Sequence, residues 1–506
     1  MAPERETRNS PLSTVSNPQT ENEKGSELFD SPPLDIVVDW EGPDDPLNPK
    51  NWNRKKKWAA TLIVSAFALL TPVASSMITP ASPQVALQFG IISDVTIALI
   101  TSIFILGYIV GPLFLGPLSE IFGRNRVIQG ANLWFMVWNL ACGFAQNSGQ
   151  LLAFRLLAGL GGSAPLAIAA AVIGDIWAAE ERGQALAIYS LAPLLGPVAG
   201  PLCGAFVAER ITWRWVFWST TILTTIIQIL GVFYLRESYA PFILERKANR
   251  IRRSLDAEKG PVPNVRSKFA NEDRTWQRIM KIALTRPFIL FCHEPIVQLL
   301  GVYMAFVYGI FYLFVTSMPL MFQGIYGESV SISGLNYLAL GIGVTGASQI
   351  NAQFMDYIFK YLKDKNGGVK EPEYRIPSMV PGTIALPVGL LITGWAVQAR
   401  VHWIVADIYQ GITLVGAGII VTFQAMQIYV VDAFPLYAAS ALAAVSFLRS
   451  LCGFGFPLFA PAMYMKLGYG KGDTILAVIG IVIGCPAPWL FWRYGKQIRM
   501  KSKYVK

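Results

Sequence analysis

The chain has 506 residues, of which 53% are hydrophobic and 15% charged, with a formal net charge of +10. Its mean hydropathy of +0.44 excludes an ordinary soluble domain, in which about a quarter of residues are charged. The basic excess is spread over several short segments with no folded soluble domain to present it, which argues against a nucleic-acid partner.

Residues 1–57 begin the chain as a polar tail whose acidic first 50 residues show no cleavable signal, and disorder is expected there. Arg54, Lys55, Lys56 and Lys57 then precede the first of about twelve runs long enough to cross ~30 Å of hydrocarbon as helix. The predicted spans are 58–80, 96–117, 127–146, 150–173, 185–208 and 214–235, then 287–316, 332–354, 377–397, 402–429, 437–460 and 473–493. Lipid cannot satisfy backbone polar groups, and the alternation of a membrane barrel is missing, so the expected class is an all-α polytopic membrane protein.

Six spans, a basic loop at 236–286 and six more spans divide the chain into a bundle at 58–235, a linker, and a bundle at 287–493, followed by a basic tail at 494–506. The 54–57 cluster, Arg124, Arg126, Arg182, the linker, the 360–375 loop and the final tail fall on one side. Only Arg210, Arg214, Arg400, Lys466 and Lys471 fall on the other, which places both termini in the cytoplasm.

After the second span, GPLSEIFGRNR packs Gly116, Glu120, Gly123, Arg124 and Arg126 into one short connection. A weaker echo, Asp356 and Lys360, follows the eighth span with the same four-residue spacing of acid and base, which permits pairing on a helical turn. Asp175 and Asp432 close the fourth and tenth spans alike. In the fifth span, LGPVAGPLCGAF sets Gly196, Gly200 and Gly204 on one face and interrupts the helix with Pro197 and Pro201, a pattern suited to close helix approach and bending. Gly453, Gly455, Pro457 and Pro461 interrupt the eleventh span similarly.

Several tempting motifs carry no chemistry. GIGVTG, Gly341 to Gly346, lacks the strand and acid of a dinucleotide site, and GYGKGDT, Gly468 to Thr474, reads as a loop. Cys142, Cys203, Cys292, Cys452 and Cys485 lie in apolar spans and read as buried reduced thiols, while His293 and His402 are too isolated for a metal site. Charges inside the spans are Arg155, Glu294, Asp407 and Arg449, each a functional suspect. Glu294 is the first choice as proton carrier, with Arg155 and Asp407 as further coupling candidates, because a desolvated carboxyl gains and loses protons whereas Arg stays charged. Tyr303, Tyr308, Phe311 and Tyr312, with Gln424 and Gln427, are candidate pocket residues for a bulky, partly polar ligand. Packing is the competing explanation for these aromatics.

GPLSEIFGRNRV resembles the signature loop of the major facilitator superfamily, and LGPVAGPLCG resembles the antiporter motif of its fifth helix. DPLNPKNWNRKKKW, AFRLLAGLGGSAP, GDIWAAEERGQALAIY, WRWVFW, EPIVQLLGVYMAFVYGIFYLF and YVVDAFPLYAASALAA are similar to the fungal drug:proton antiporter branch. The resemblance implies a twelve-helix fold in two halves and a monomer, most simply in the plasma membrane. It implies proton-driven export of a hydrophobic or amphipathic small molecule by alternating access, with the proton gradient in place of a cofactor. Gly116, Glu120, Gly123, Arg124 and Arg126 would then act as a conformational latch. A proton-coupled importer or polyamine carrier is the alternative within transport. A membrane-embedded enzyme is disfavoured because no nucleophile, metal cluster or phosphate site is evident.

Overall fold

The structure, a computed structural model, describes residues 36–178, 181–257, 265–269, 276–400, 407–434 and 438–502. Residues 1–35 of the expected disordered tail, His402 and the side chain of Asp407 lie outside the described residues.

A backbone in hydrocarbon satisfies its polar groups internally, and this chain does so almost entirely as helix. The first bundle contains α1 (Arg54–Ser76), α2 (Ser82–Phe89), α3 (Asp94–Phe122), α4 (Arg124–Gly143), α5 (Ser148–Gly162), α6 (Ala164–Ile176), α7 (Arg182–Arg210) and α8 (Arg214–Tyr234). The surface helix α9 (Ala240–Ala257) lies in the linker. The second bundle contains α10 (Trp276–His293), α11 (Pro295–Pro319), α12 (Val330–Leu335), α13 (Tyr337–Lys365), α14 (Val380–Gln398), α15 (Asp407–Ala433), α16 (Ala438–Gly484) and α17 (Pro486–Met500).

Among the described residues, ten helical segments are long and apolar enough to cross a membrane. Two features bring the crossings to twelve. The 47 residues of α16 would run about 70 Å if straight, more than twice the ~30 Å of hydrocarbon. Instead the chain reverses at Gly468, where φ 74° and ψ 168° suit glycine. The 20-residue α4 is the other crossing, and it runs antiparallel to α8 from end to end. Asn125 Nδ2 donates to Leu235 O at 2.9 Å, Asn132 Nδ2 to Gln228 Oε1 at 2.6 Å, and Asn139 Nδ2 to Phe217 O at 3.0 Å. These asparagines recur every seventh residue, so one face of α4 carries all three.

Several boundaries differ from expectation. The seventh span does not run unbroken from 287: α10 ends at His293, and Pro295, with its fixed φ and no N–H to lose, starts α11. The GYGKGDT stretch is a loop only at Gly468, since helix resumes immediately after it. Part of the tail expected to be disordered is folded: β1 (Ile36–Val38) pairs in parallel with β2 (Val265–Ser267) of the linker, in the register Ile36 to Val265. Beside this pair Lys268 Nζ meets Asp39 Oδ2 at 2.6 Å, and that hydrogen bond holds the Asp39 carboxyl below its ordinary value. The cysteines are unpaired, and Cys142 alone is buried, whereas Cys203, Cys292 and Cys485 are exposed on the bundle exterior.

With an even number of crossings, residues 36–54, the linker and α17 share one face, termed here the linker face. On the opposite face the halves meet directly. Glu209 on α7 accepts from the Ser331 N–H of α12, and Gln323 Nε2 donates to Pro80 O at 3.1 Å. Deeper in, Gly334 and Gly341 lie against Ala205 and Val198 of α7.

The glycine face of α7 lies on α1. A Cβ at Gly196 would fall 2.6 Å from Pro72 Cβ, one at Gly200 2.6 Å from Val73 O, and one at Gly204 1.9 Å from Met77 O. Glycine thus permits backbone-to-backbone contact there. The GIGVTG glycines serve packing too, since a Cβ at Gly343 would fall 2.1 Å from Thr413 O, whereas Gly346 faces open space. Gly204→Ala is therefore expected to force α1 and α7 apart, at about 1–3 kcal/mol for overpacking, and to lower the melting temperature of the purified protein. Gly346→Ala is expected to be neutral or to add up to ~1 kcal/mol through helix propensity. Thermal unfolding of both variants in detergent checks this, and equal shifts would refute the close-contact reading.

Candidate functional site

The linker face carries a charge network at the α3–α4 turn. Gly123 takes φ 94°, and a Cβ there would fall 2.3 Å from Glu237 Oε2, so the position requires glycine on both counts. The turn exposes the first N–H groups of α4, and Glu237, three residues beyond α8, caps them. Its carboxylate accepts from Arg124 N at 2.9 Å and Asn125 N at 3.2 Å, and also from Ser238 N and Tyr239 N. A carboxylate at a helix N-terminus is stabilised by the unpaired N–H groups and the helix dipole.

Arg124 turns its side chain inward. Its Nη1 donates to Ser119 Oγ at 2.7 Å, its Nε meets Asp175 Oδ2 at 3.4 Å, and the guanidinium lies 4.7 Å from the Tyr239 ring centre. Arg126 stacks over Phe242 at 5.4 Å. The expected role of Glu120 as their partner is corrected: Glu120 is exposed, and the acids that meet this turn are Asp175 and Glu237. Gly116 has open space around its Cα.

The second half repeats the device with different residues. Arg375, just before α14, places Nε 3.3 Å from Asp432 Oδ2 and Nη1 2.8 Å from Asp356 Oδ1. The expected Asp356–Lys360 pair is thereby replaced by a longer-range one. Asp175 and Asp432, each closing a helix, are each held by an arginine from a neighbouring connection. The tie to the end of each half also recurs, with its charges exchanged. Glu237 after α8 grips the start of α4, while Arg499 on α17 grips Glu373 before α14 through two bonds of 3.1 Å. Burial ranks these contacts. The Asp356 side chain is 67% exposed, so its pair contributes about 0–1 kcal/mol, whereas the better shielded Arg124–Asp175 pair is screened less.

Inside the bundles, Arg155 is fully enclosed. It donates to Ser75 O at 2.6 Å, Thr101 O at 3.3 Å and Ala74 O at 3.4 Å, between the rings of Phe104 and Phe217. It therefore ties α5 to α1 and α3 through carbonyls. Glu294 is 3% exposed and stands in the break between α10 and α11, at the head of a spanning helix instead of in its interior.

A buried acid that sequence reasoning missed is Asp473. It is fully buried, its Oδ1 accepts from Tyr464 Oη at 2.7 Å, and its Oδ2 has no partner. Tyr464 and Tyr469 stack at 4.3 Å beside it, and Gly394 gives it room against α14. The usable signal was an acid one helical turn after an aromatic residue, hidden in a glycine-rich stretch.

The pocket candidates separate into two groups. Tyr303 points into the second bundle, where its hydroxyl packs against Gly484. Tyr308, Phe311 and Tyr312 form a continuous cluster, with Tyr308 5.0 Å from Tyr312 and 6.2 Å from Phe311. The Tyr312 hydroxyl reaches Ser75 of α1, so the cluster lies where the halves meet. Gln424 Nε2 donates to Ser348 Oγ at 2.6 Å, its Oε1 accepts from Asn351 at 3.2 Å, and Gln427 is half-buried one turn further along α15.

Removing the cap at the α4 start separates the network from mere charge placement. Glu237→Ala is expected to cost about 1–2 kcal/mol and to slow transport at equal expression, whereas Glu120→Gln leaves transport within twofold of the parent. Transport rates normalised to membrane-inserted protein test this. A larger loss in Glu120→Gln than in Glu237→Ala would overturn the assignment.

The family model of the Major Facilitator Superfamily matches residues 64–457. Efflux pump vrtL of Penicillium aethiopicum is 44% identical over 469 residues, covering 93% of this chain and 91% of that protein. Efflux pump radE of Floropilus chiversii is 40% identical over 469 residues, covering 92% and 86%. Among solved structures, a D-xylose-proton symporter superposes with a TM-score of 0.64 at 16% identity, over 89% of this chain and 98% of that one, a likeness of fold. On this evidence the chain belongs to the major facilitator superfamily and is an integral membrane transporter, not an enzyme.

Proposed function

We propose that this transporter exports a hydrophobic or amphipathic small molecule, such as a drug, toxin or secondary metabolite, in exchange for protons by alternating access. The observation that carries the reading is the match to fungal efflux pumps over more than nine-tenths of the chain. The backbone contact of α7 with α1 along the antiporter-like glycines supports exchange as the mode. In this reading the linker face is cytoplasmic, in keeping with its basic residues, and a monomer works in the plasma membrane. The halves, joined at the opposite face through Glu209 and Gln323, would open there once cargo is loaded. Arg124, Asp175 and Glu237 act as the latch that differs between the two states. A differential of ~1–3 kcal/mol is enough to shift their populations several-fold to a hundredfold.

Glu294 is assigned as proton carrier, since it is a buried carboxylate at the hinge between α10 and α11. Arg155 enters through the carbonyls of α1 and α3 that it holds. Asp473, equally enclosed, is the second carboxylate to test. In proteoliposomes with an imposed pH gradient, Glu294→Gln is expected to keep passive exchange of cargo but lose accumulation against a gradient, and Glu294→Asp to keep part of it. Export by Glu294→Gln with the parent's pH dependence would remove the assignment, and loss of coupling in Asp473→Asn alone would transfer it to that residue.

A further inference from the structure

Two arginines lie inside the membrane spans, and they are treated differently. Arg155 spends its two terminal nitrogens on three carbonyls and leaves only its Nε without an acceptor. Arg449 sits on the first arm of α16, about 17 Å along the helix from its linker-face end. Its guanidinium lies 4.8 Å from the Tyr308 ring centre and 5.3 Å from that of Phe423. Among the described residues no hydrogen bond or ion pair reaches it, and its Nε is buried without an acceptor. The side chain as a whole is half-buried, as are Tyr308 and Phe423, so this spot keeps residual access in the middle of the protein. Tyr308 belongs to the cluster whose Tyr312 hydroxyl reaches Ser75 of the first bundle, so the guanidinium lies beside the surface where the halves meet.

The local fold makes room for this arrangement. Gly453, one turn beyond Arg449, lies so close to Tyr308 that a Cβ would fall 2.8 Å from the ring. Glycine there lets Tyr308 lie against α16 beneath the guanidinium. A guanidinium stacked on a ring retains its in-plane donors, and those donors match a carboxylate edge-on through two parallel bonds. A cation at this depth without an acceptor is unfavourable, and the rings compensate only in part. An anionic ligand removes that deficit and presents its own aromatic surface to Tyr308, Phe311 and Phe423.

We propose that Arg449 is the anion-recognition residue of the cargo site, and that the cargo class is aromatic molecules bearing one acidic group, a carboxylate or an acidic enol or phenol. This rests on the efflux reading and specifies its substrate. The site borders both halves, because Arg449 and Tyr308 belong to one bundle and Tyr312, packed on Tyr308, reaches Ser75 of the other.

Binding of 1-pyrenebutyrate and of its neutral counterpart 1-pyrenebutanol to the purified full chain in detergent, followed by pyrene fluorescence, tests the proposal. Arg449→Gln is expected to weaken pyrenebutyrate at least tenfold and pyrenebutanol less than twofold, with Arg449→Lys intermediate for the acid. Gly453→Ala, which displaces Tyr308, is expected to weaken both ligands while the melting temperature reports that the fold is kept. Equal losses of acid and alcohol in Arg449→Gln, or no loss of the acid, would overturn the proposal, as would a parent protein that binds the alcohol but not the acid. Transport in proteoliposomes separates this from the reading beneath it. If the parent exports pyrenebutanol under a pH gradient but not pyrenebutyrate, efflux stands and anion recognition falls. If it exports neither, both fall.

Discussion

The contact between α1 and α7 is the constraint on which the first bundle depends. Hydrocarbon offers no hydrophobic drive for two apolar helices to associate, so close packing has to hold them together. The glycines at 196, 200 and 204 replace a layer of side chains with direct backbone contact over two turns. That contact fixes where α7 emerges at the opposite face, and hence where Glu209 and Ala205 meet α12 of the other half. Pro193, Pro197 and Pro201 lie in the same helix. Each removes a backbone donor, so the helix that touches both halves is also easily bent.

Around this contact, polar groups divide their work by depth. At the linker face, charges meet charges across connections, and each half has its own arginine-to-aspartate clamp. Such pairs sit near water, where they can break and re-form during a conformational cycle at modest cost. In the interior the chain relies on carbonyls, amides and rings, with Arg155 as the clearest case. Arg449 departs from that economy, and the departure coincides with the surface where the two halves face each other. A transporter needs one interior place whose polar groups are completed only when cargo is present.

The spans were legible because the lipid rule forces apolar composition on them, whatever their partners. Gly123, Gly204 and the doubled proline pattern were legible because their backbone consequences are local. Pairing was not legible. Glu120 lies four residues from Arg124, a spacing that invites a local pair, yet the partners are Asp175 and Glu237, 51 and 113 positions away from Arg124. Periodicity carries no information about contacts at that range. The fold of residues 36–38 was missed for the same reason, since their strand partner lies in the linker. Asp473 was hidden by composition, because Gly468, Gly470 and Gly472 read as a loop although only Gly468 breaks the helix.

The asparagine ladder of α4 bears on how the protein is made. α4 begins with two arginines and carries amides at 125, 132 and 139 along one face, and it is not among the segments apolar enough to cross alone. All three amides donate to oxygens of α8 or of Leu235 just after it, a segment that the ribosome completes about 90 residues later, several seconds of synthesis at cellular rates. Until then α4 would wait beside the insertion machinery or in the headgroup layer, and it would enter the bilayer as one of a pair. Membrane integration of the first half would thus be completed from its last helix backwards, so that truncation before α8 would leave α4 without the partner that holds it in the membrane.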